Sequence, residues 1–251
     1  MRALITNDDG IDSPGLLALA RAAAGLGWEV LIAAPSTEAS GTGTSLASTE
    51  GRSRIRLERR DLDGFEAYAV PAHPGLISFL ACHEGFGARP DVVLSGVNYG
   101  ANTGNGILHS GTVGAALTAG VRGVSALAVS LDIGWNGSEP LSEPLWVKAT
   151  EVTRVVLPTL LEMPTGTVLN LNVPNGEVRG LEWADIAPAS PIQVRVERVD
   201  DLELKLSAFD SGLEAVPGTE VALLARGFAT LTPLSSVERA TPELPSLAWP
   251  G

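Results

Sequence analysis

Apolar positions run through this chain in two rhythms, and the change from one to the other marks its elements. Ala3-Leu4-Ile5-Thr6, Glu29–Ala34, Asp91–Ser95, Ser125–Leu131 and Val168–Asn172 are near-continuous apolar runs of strand length. That is the pattern of strands buried on both faces. Between them lie stretches with helix signals. One starts at Pro14, with Ser13 as its cap and Gly25 closing it; others run from Pro74 to about Glu84, from Thr112 to Ala119 with Gly120 as the stop, and from about Pro144 to Leu161. Arg54–Glu58 and Glu66–Val70 read as two further strands. Alternation of this kind predicts an α/β fold, a doubly wound, mostly parallel sheet with helices on both faces.

After residue 132 the texture changes. A turn-rich connector over residues 134–144 leads into the last long helix. Gln193–Arg198 and Glu203–Leu206 then alternate strictly, with Asp200-Asp201 between them, which predicts a β-hairpin over about residues 191–208. Its single apolar face is too exposed to stand alone, and a second subunit is a natural cover. Residues 218–226 read as a final helix, with Gly227 closing it and Phe228–Leu231 returning as a strand. The chain thus divides into a core over residues 1–132 and a second part, 133–251, that completes the core and adds the hairpin.

Composition narrows the class. With 45% hydrophobic and 18% charged residues the chain is a folded, soluble protein. No apolar run approaches a membrane span, and the first residues lack the features of a signal peptide. Cys82 is the single cysteine, so no internal disulfide forms, in keeping with a cytoplasmic location; its apolar surroundings read as those of a buried structural thiol. The net charge of −12 falls mostly on residues 131–251, with 17 acidic residues against 8 basic ones. The only basic cluster, Arg52, Arg54, Arg56, Arg59 and Arg60, fits one solvated strand face, so a long nucleic acid is not an expected partner.

The chemistry concentrates in three loops that follow strands. The first is Asn7-Asp8-Asp9-Gly10. Two adjacent carboxylates at the end of a buried strand raise each other's pKa, and a hard divalent cation would resolve the conflict. A solvated turn with a capping Asp fits the same four residues. The second loop is Ser36–Gly43, and the third runs from Gly96-Val97-Asn98-Tyr99-Gly100 to His109-Ser110-Gly111-Thr112. In a doubly wound sheet these loops converge on one crevice and supply only oxygen ligands, which suit magnesium or manganese better than zinc. Ser110-Gly111-Thr112 opens a helix, where free amides and the helix dipole favour an anion; either hydroxyl could equally be a plain cap.

These motifs resemble the survival protein SurE nucleotidase family. The matching stretches are Thr6–Ile11 with Pro14-Gly15, Ser40-Gly41, Ser95–Gly100, Ser110–Ala116, Leu169–Pro174 and Thr230–Leu234, in the family's order along nearly the whole chain. The resemblance implies a Rossmann-like core and a metal-dependent phosphomonoesterase that hydrolyses nucleoside monophosphates. It assigns one Mg2+ or Mn2+ per subunit to Asp8, Asp9, Ser40 and Asn98, with the two aspartates catalytic. It places Asn7, Gly41, Ser110, Gly111 and Thr112 around the phosphate. It also implies a homodimer or homotetramer built through the C-terminal hairpin. Two stretches depart from the family's pattern: Ala39 stands where many members have a basic residue, and Pro71–Ile77 replaces a motif near the leaving group.

Rival chemistries lack their motifs. There is no GxxxxGK[ST] and no GxSxG, and Asp8-Asp9 does not fit the Asp-x-Asp of an aspartyl-phosphate phosphatase. A non-catalytic nucleotide sensor on the same fold is the alternative, and Glu38 is a candidate proton acceptor if the chain is an enzyme.

Overall fold

The computed structural model of the protein describes residues 1–51, 54–134, 143–212, 214–235 and 237. Its elements in chain order are β1 (Arg2–Thr6), α1 (Pro14–Ala24), β2 (Glu29–Pro35), β3 (Glu58–Leu62), β4 (Phe65–Val70), α2 (Pro74–Cys82), β5 (Val92–Tyr99), a 3-10 turn (Gly104–His109), α3 (Gly111–Val121), β6 (Ser125–Asp132), α4 (Trp146–Glu162), β7 (Val168–Pro174), β8 (Gly180–Trp183), β9 (Ile192–Arg198), β10 (Leu204–Asp210), α5 (Glu220–Leu224) and β11 (Phe228–Leu234). Nine strands form one sheet in the order β3-β4-β2-β1-β5-β6-β7-β11-β8, while β9 and β10 pair separately. The run from β4 to β7 is parallel throughout. β11 joins it antiparallel, β8 pairs parallel to β11, and β3 closes the other edge antiparallel.

The apolar runs explain this arrangement. Leu4, Val93 and Ala126 face α2 and α3, while Ile5, Leu94 and Leu127 face α1 and α4, so each central strand buries both faces. From β1 the chain builds outward through β2 and β4, then crosses back to β5 on the other side of β1. The order reverses between β1 and β5, and the crevice beyond their C-terminal ends is where such sheets hold ligands.

Several boundaries differ from those predicted. Residues 54–57 form no strand; the strand runs from Glu58 to Leu62 because Asp63 (φ 57°) and Gly64 (φ 84°) make a tight hairpin turn that pairs Leu62 with Phe65. Gly120 does not stop α3 but lies inside it. A side chain there would sit 2.3 Å from Val168 Cγ2, so the glycine serves close packing of helix on strand. Ser13 occupies the cap position of α1 without a capping side-chain hydrogen bond. The final helix is shorter than expected and β11 longer, and β8 and the 3-10 turn were not predicted. Most of the expected connector, and Arg52 of the basic cluster, lie outside the described residues. Cys82 is buried, and burial pushes its thiol pKa up. Among the described residues no helix is long and apolar enough to cross a membrane.

Candidate active site

The turn after β1 is braced by its first residue. Asn7 is fully buried, its Nδ2 donates to Gly10 O (3.0 Å) and its Oδ1 accepts the Gly10 N–H (3.2 Å). Gly10 has φ 98°, a conformation open to glycine at little cost. Asn7 therefore shapes the turn that presents Asp8 and Asp9.

Asp8 meets the start of α3. Thr112 donates its N–H to Oδ2 (3.1 Å), and its hydroxyl lies between Asp8 Oδ1 and Asn98 Oδ1, 3.1 Å from the latter. Ser110 is the helix cap, accepting the Val113 N–H at 3.1 Å. Of the amides expected to face outward, that of Thr112 is thus already paired with Asp8 and that of Ser110 with Ile107 O (3.2 Å). Gly111 is needed because a side chain there would stand 2.8 Å from Asp8 Cβ and 3.0 Å from Thr42 Oγ1. Burial raises the Asp8 pKa, and the Thr112 hydrogen bonds pull it back down.

Asp9 is raised further, from 3.8 to about 7, first by burial and then by the neighbouring Asp8 charge, with a smaller push from Glu38. Its Oδ2 is buried and has no hydrogen-bond partner. Among the described residues no Lys or Arg contributes to the electrostatics of either aspartate. An acceptor buried in this way beside a second carboxylate is a position at which a cation would be bound.

The loop after β2 docks through its backbone. Ala39 donates its N–H to Asp8 O (2.8 Å), Thr42 Oγ1 donates to Ala39 O (2.9 Å), and Gly43 donates to His109 O (3.1 Å). A side chain on Gly114 would lie 2.0 Å from Gly43 O, so this loop packs directly on α3. Ser40 is exposed, and its hydroxyl donates to Glu38 Oε1 (2.8 Å) rather than to Asp8, Asp9 or Asn98. Gly41 faces open space with φ 75°. A cavity of about 240 Å³ opens beside these residues, lined by Glu38, Ser40, Thr42 and His73 among others. His73 belongs to the stretch that departs from the family pattern, and its Nδ1 is 3.0 Å from Ser45 Oγ.

The structure therefore gathers Asp8, Asp9, Asn98, Ser110, Gly111 and Thr112 tightly, keeps Asn7 as their support, and leaves Ser40 and Gly41 at the rim. His109 is exposed and contributes its carbonyl. Among the described residues no group of three or more His, Cys, Asp or Glu side chains is placed to hold a metal, so the candidate set is two carboxylates with a hydroxyl and an amide. Two supports went unread in the sequence. Thr42 is one. The other is Asn102, whose N–H donates to Asn172 Oδ1 (2.8 Å), whose Nδ2 donates to Ser130 Oγ (2.9 Å), and whose carbonyl accepts from Asn170 (2.9 Å) and Asn172 (3.0 Å). Two asparagines at alternate positions of a buried strand were the available signal.

The chain matches the protein family described as Survival protein SurE over residues 3–192. It is 41% identical over 190 residues to a protein of Rubrobacter xylanophilus named 5'-nucleotidase SurE, covering 74% of this chain and 71% of that one. A Methanopyrus kandleri protein of the same name is 36% identical over 248 residues, 94% of this chain and 92% of the relative. Among solved structures, the SurE protein of Aquifex aeolicus superposes with a TM-score of 0.75 at 29% identity, covering 94% of each chain.

Proposed function

The chain belongs to the survival protein SurE family, and we propose that its three converging loops form the metal-dependent active site with which it hydrolyses nucleoside monophosphates. It is a nucleotidase, a phosphomonoesterase that acts on nucleotides. The observation that carries the active-site reading is the paired aspartates at the reversal of strand order, with Asp9 Oδ2 buried and unpartnered and, among the described residues, no cationic side chain offsetting their charge.

The donor set fits a hard divalent ion. Asp8 and Asp9 would hold one Mg2+ or Mn2+ together with the neutral oxygens of Ser40 and Asn98, so the charge of the ion is cancelled without an excess of negative groups. Such an ion supplies Lewis-acid polarisation of a phosphoryl oxygen and a bound water of lowered pKa. The chain itself supplies the rest. Thr112 fixes the Asp8 carboxylate, and Asn98 is held by its bond to Gly100 O (2.7 Å). Gly41 and Ser110–Thr112 border the space for phosphate, where the absence of side-chain bulk at Gly41 and Gly111 leaves room for an anion. Glu38, at the cavity rim and already accepting from Ser40, is placed to take a proton.

The hairpin supports an assembly of copies of this chain. On one face of β9 and β10, Val194, Val196, Leu204 and Leu206 are each at least 61% exposed, next to one another by register. Contiguous apolar area of this kind marks a contact surface, and a second copy of the chain is the partner it fits, giving a homodimer or homotetramer.

The test is phosphate release from a panel of nucleoside monophosphates with Mg2+ or Mn2+ and with EDTA. Release that requires the metal and is lost in Asp9→Asn supports the reading. Equal release in EDTA would refute the metal assignment, and no release from any nucleotide would refute the activity.

A further inference from the structure

A second cavity, of about 480 Å³ and larger than the one beside Ser40, begins at Gly100, two residues beyond Asn98. Its near wall is Gly100 and Ala101, directly after the Asn98-Tyr99 end of β5. Gly100 is clamped there, accepting from Asn98 Nδ2 (2.7 Å) and donating to Leu131 O (3.0 Å). Asp132, the last residue of β6, lines it too, with its Oδ1 accepting the Gly134 N–H at 3.2 Å. The far wall is mostly apolar, with Ile192 and Ala208 at the base of the hairpin and Val221 and Leu224 of α5; its one carboxylate, Asp210 at the end of β10, has its Oδ1 engaged by the Gly212 N–H (2.9 Å).

The register fixes how these parts relate. Asn98 pairs with Ser130 and Tyr99 with Leu131, so Asp132 stands one strand over and two residues along from the partner of Asn98. With ordinary strand spacing and rise, their backbones are roughly 8 Å apart at the same end of the sheet. A nucleotide whose phosphate sits at the metal held by Asp8, Asp9 and Asn98 would extend past Asn98 into reach of Asp132. A carboxylate there repels phosphate and accepts hydrogen bonds, so the fitting chemistry is an uncharged group with several donors, followed by a flat apolar body. The cavity beside Ser40 is half the size and offers no comparable apolar wall.

We propose that this cavity takes the nucleoside half of the substrate, with Asp132 accepting from the ribose 2' and 3' hydroxyls and Ile192, Ala208, Val221 and Leu224 packing the base. This rests on the nucleotidase reading and extends it to a preference, for ribonucleoside 5'-monophosphates over their 2'-deoxy counterparts. It also gives the hairpin two roles along one face: the base of that face closes the cavity, and the outer part remains uncovered.

Three substrates and two variants decide it. Hydrolysis of AMP, 2'-deoxy-AMP and p-nitrophenyl phosphate is measured with Mn2+ for the wild type, Asp132→Ala and Val221→Trp. Ratios of kcat/KM within one variant do not depend on how much of it is correctly folded. The wild type should favour AMP over 2'-deoxy-AMP by about tenfold or more, the scale on which a site built to bond a hydroxyl rejects its absence. Asp132→Ala should erase that ratio. Val221→Trp should lower AMP relative to p-nitrophenyl phosphate by about tenfold, because its ring fills the space for the base. A wild type indifferent to the 2'-hydroxyl, an Asp132→Ala that keeps the wild-type ratio, or a Val221→Trp with unaltered AMP selectivity would each overturn the proposal. Wild-type protein that releases phosphate from no nucleotide would instead overturn the nucleotidase reading, and the inference with it.

Discussion

Thr112 offers Asp8 both of its hydrogen-bonding groups, the backbone N–H to Oδ2 at 3.1 Å and the hydroxyl to Oδ1, across 104 positions of sequence. The positive end of α3 is thereby turned on a protein carboxylate, which keeps a buried aspartate oriented, on the proposed reading, for a cation. Thr112→Val preserves the shape and the N–H but removes the hydroxyl. It should weaken Mn2+ binding and lower kcat/KM by roughly ten- to a hundredfold, the range for losing a group that orients a metal ligand. Thr112→Ser should restore most of both. Manganese titration and steady-state kinetics on the two variants check this, and Thr112→Val with wild-type metal affinity would contradict it.

Gly111→Ala probes the same junction by bulk. Its methyl would stand 2.8 Å from Asp8 Cβ and 2.9 Å from Asp8 Oδ2. The carboxylate must move, so activity should fall by about a hundredfold while the far-UV circular dichroism stays that of the wild type. Gly114→Ala would meet the backbone of Gly43 at 2.0 Å and should instead cost stability, by about 1–3 kcal/mol in denaturant unfolding.

How much of this was readable before the structure depends on the range of the interaction. The buried strands and the loops after them were legible, because a continuous apolar run or a Gly-rich stretch between two runs is a local signal. β8 was not: it is a four-residue edge strand, mostly exposed, and its one alternation, Leu181 with Trp183, is too short to read as a strand. The position of β3 is set by Asp63-Gly64, a two-residue turn with positive φ, against which the alternation of Arg52, Arg54 and Arg56 points to a strand earlier in the chain. Asp8 and Asp9 were legible as a pair, but the use of the Thr112 amide by Asp8 was not, since it arises only when β1 and α3 meet. Thr42 and Asn102 are of the same kind, ordinary loop residues whose partners come from distant elements.

The raised pKa of Asp9 makes a signed prediction for the metal-free protein. A carboxyl whose pKa rises on folding, here from 3.8 to about 7, holds its proton more tightly in the folded state. Its contribution to stability is complete below the unfolded value and is lost as pH rises through the folded one. Asp8 is shifted in the same direction. In EDTA, Asp9→Asn should therefore have a higher Tm than wild type at about pH 8, with the gap closing towards about pH 4. A gap that widens on acidification would show that Asp9 is not the buried, repelled group described.

The uncovered hairpin face predicts the assembly. Val196 and Leu206 are directly paired across β9 and β10 and are 61% and 67% exposed. Replacing both with glutamate puts charge into the contact and should shift the protein to monomers in light scattering at micromolar concentration. A wild type that is already monomeric under those conditions would refute the surface.

The most direct measurement concerns how the site admits an anion at all. Residues 3–20, 35–51 and 90–121, which contain all three loops, have no Lys or Arg. Without a metal, Asp8 and Asp9 face the phosphate dianion with no cationic side chain from these loops to offset them, and most phosphoryl-transfer sites are not built that way. Calorimetric titration of a nucleoside monophosphate into EDTA-treated protein, and again with Mn2+ or Mg2+ restored, isolates that dependence. Binding should be undetectable without the metal and return with it. Binding at the same affinity in EDTA would mean that a basic group reaches the phosphate from elsewhere in the chain, and that Asp8 and Asp9 do not hold the ion on which the site depends.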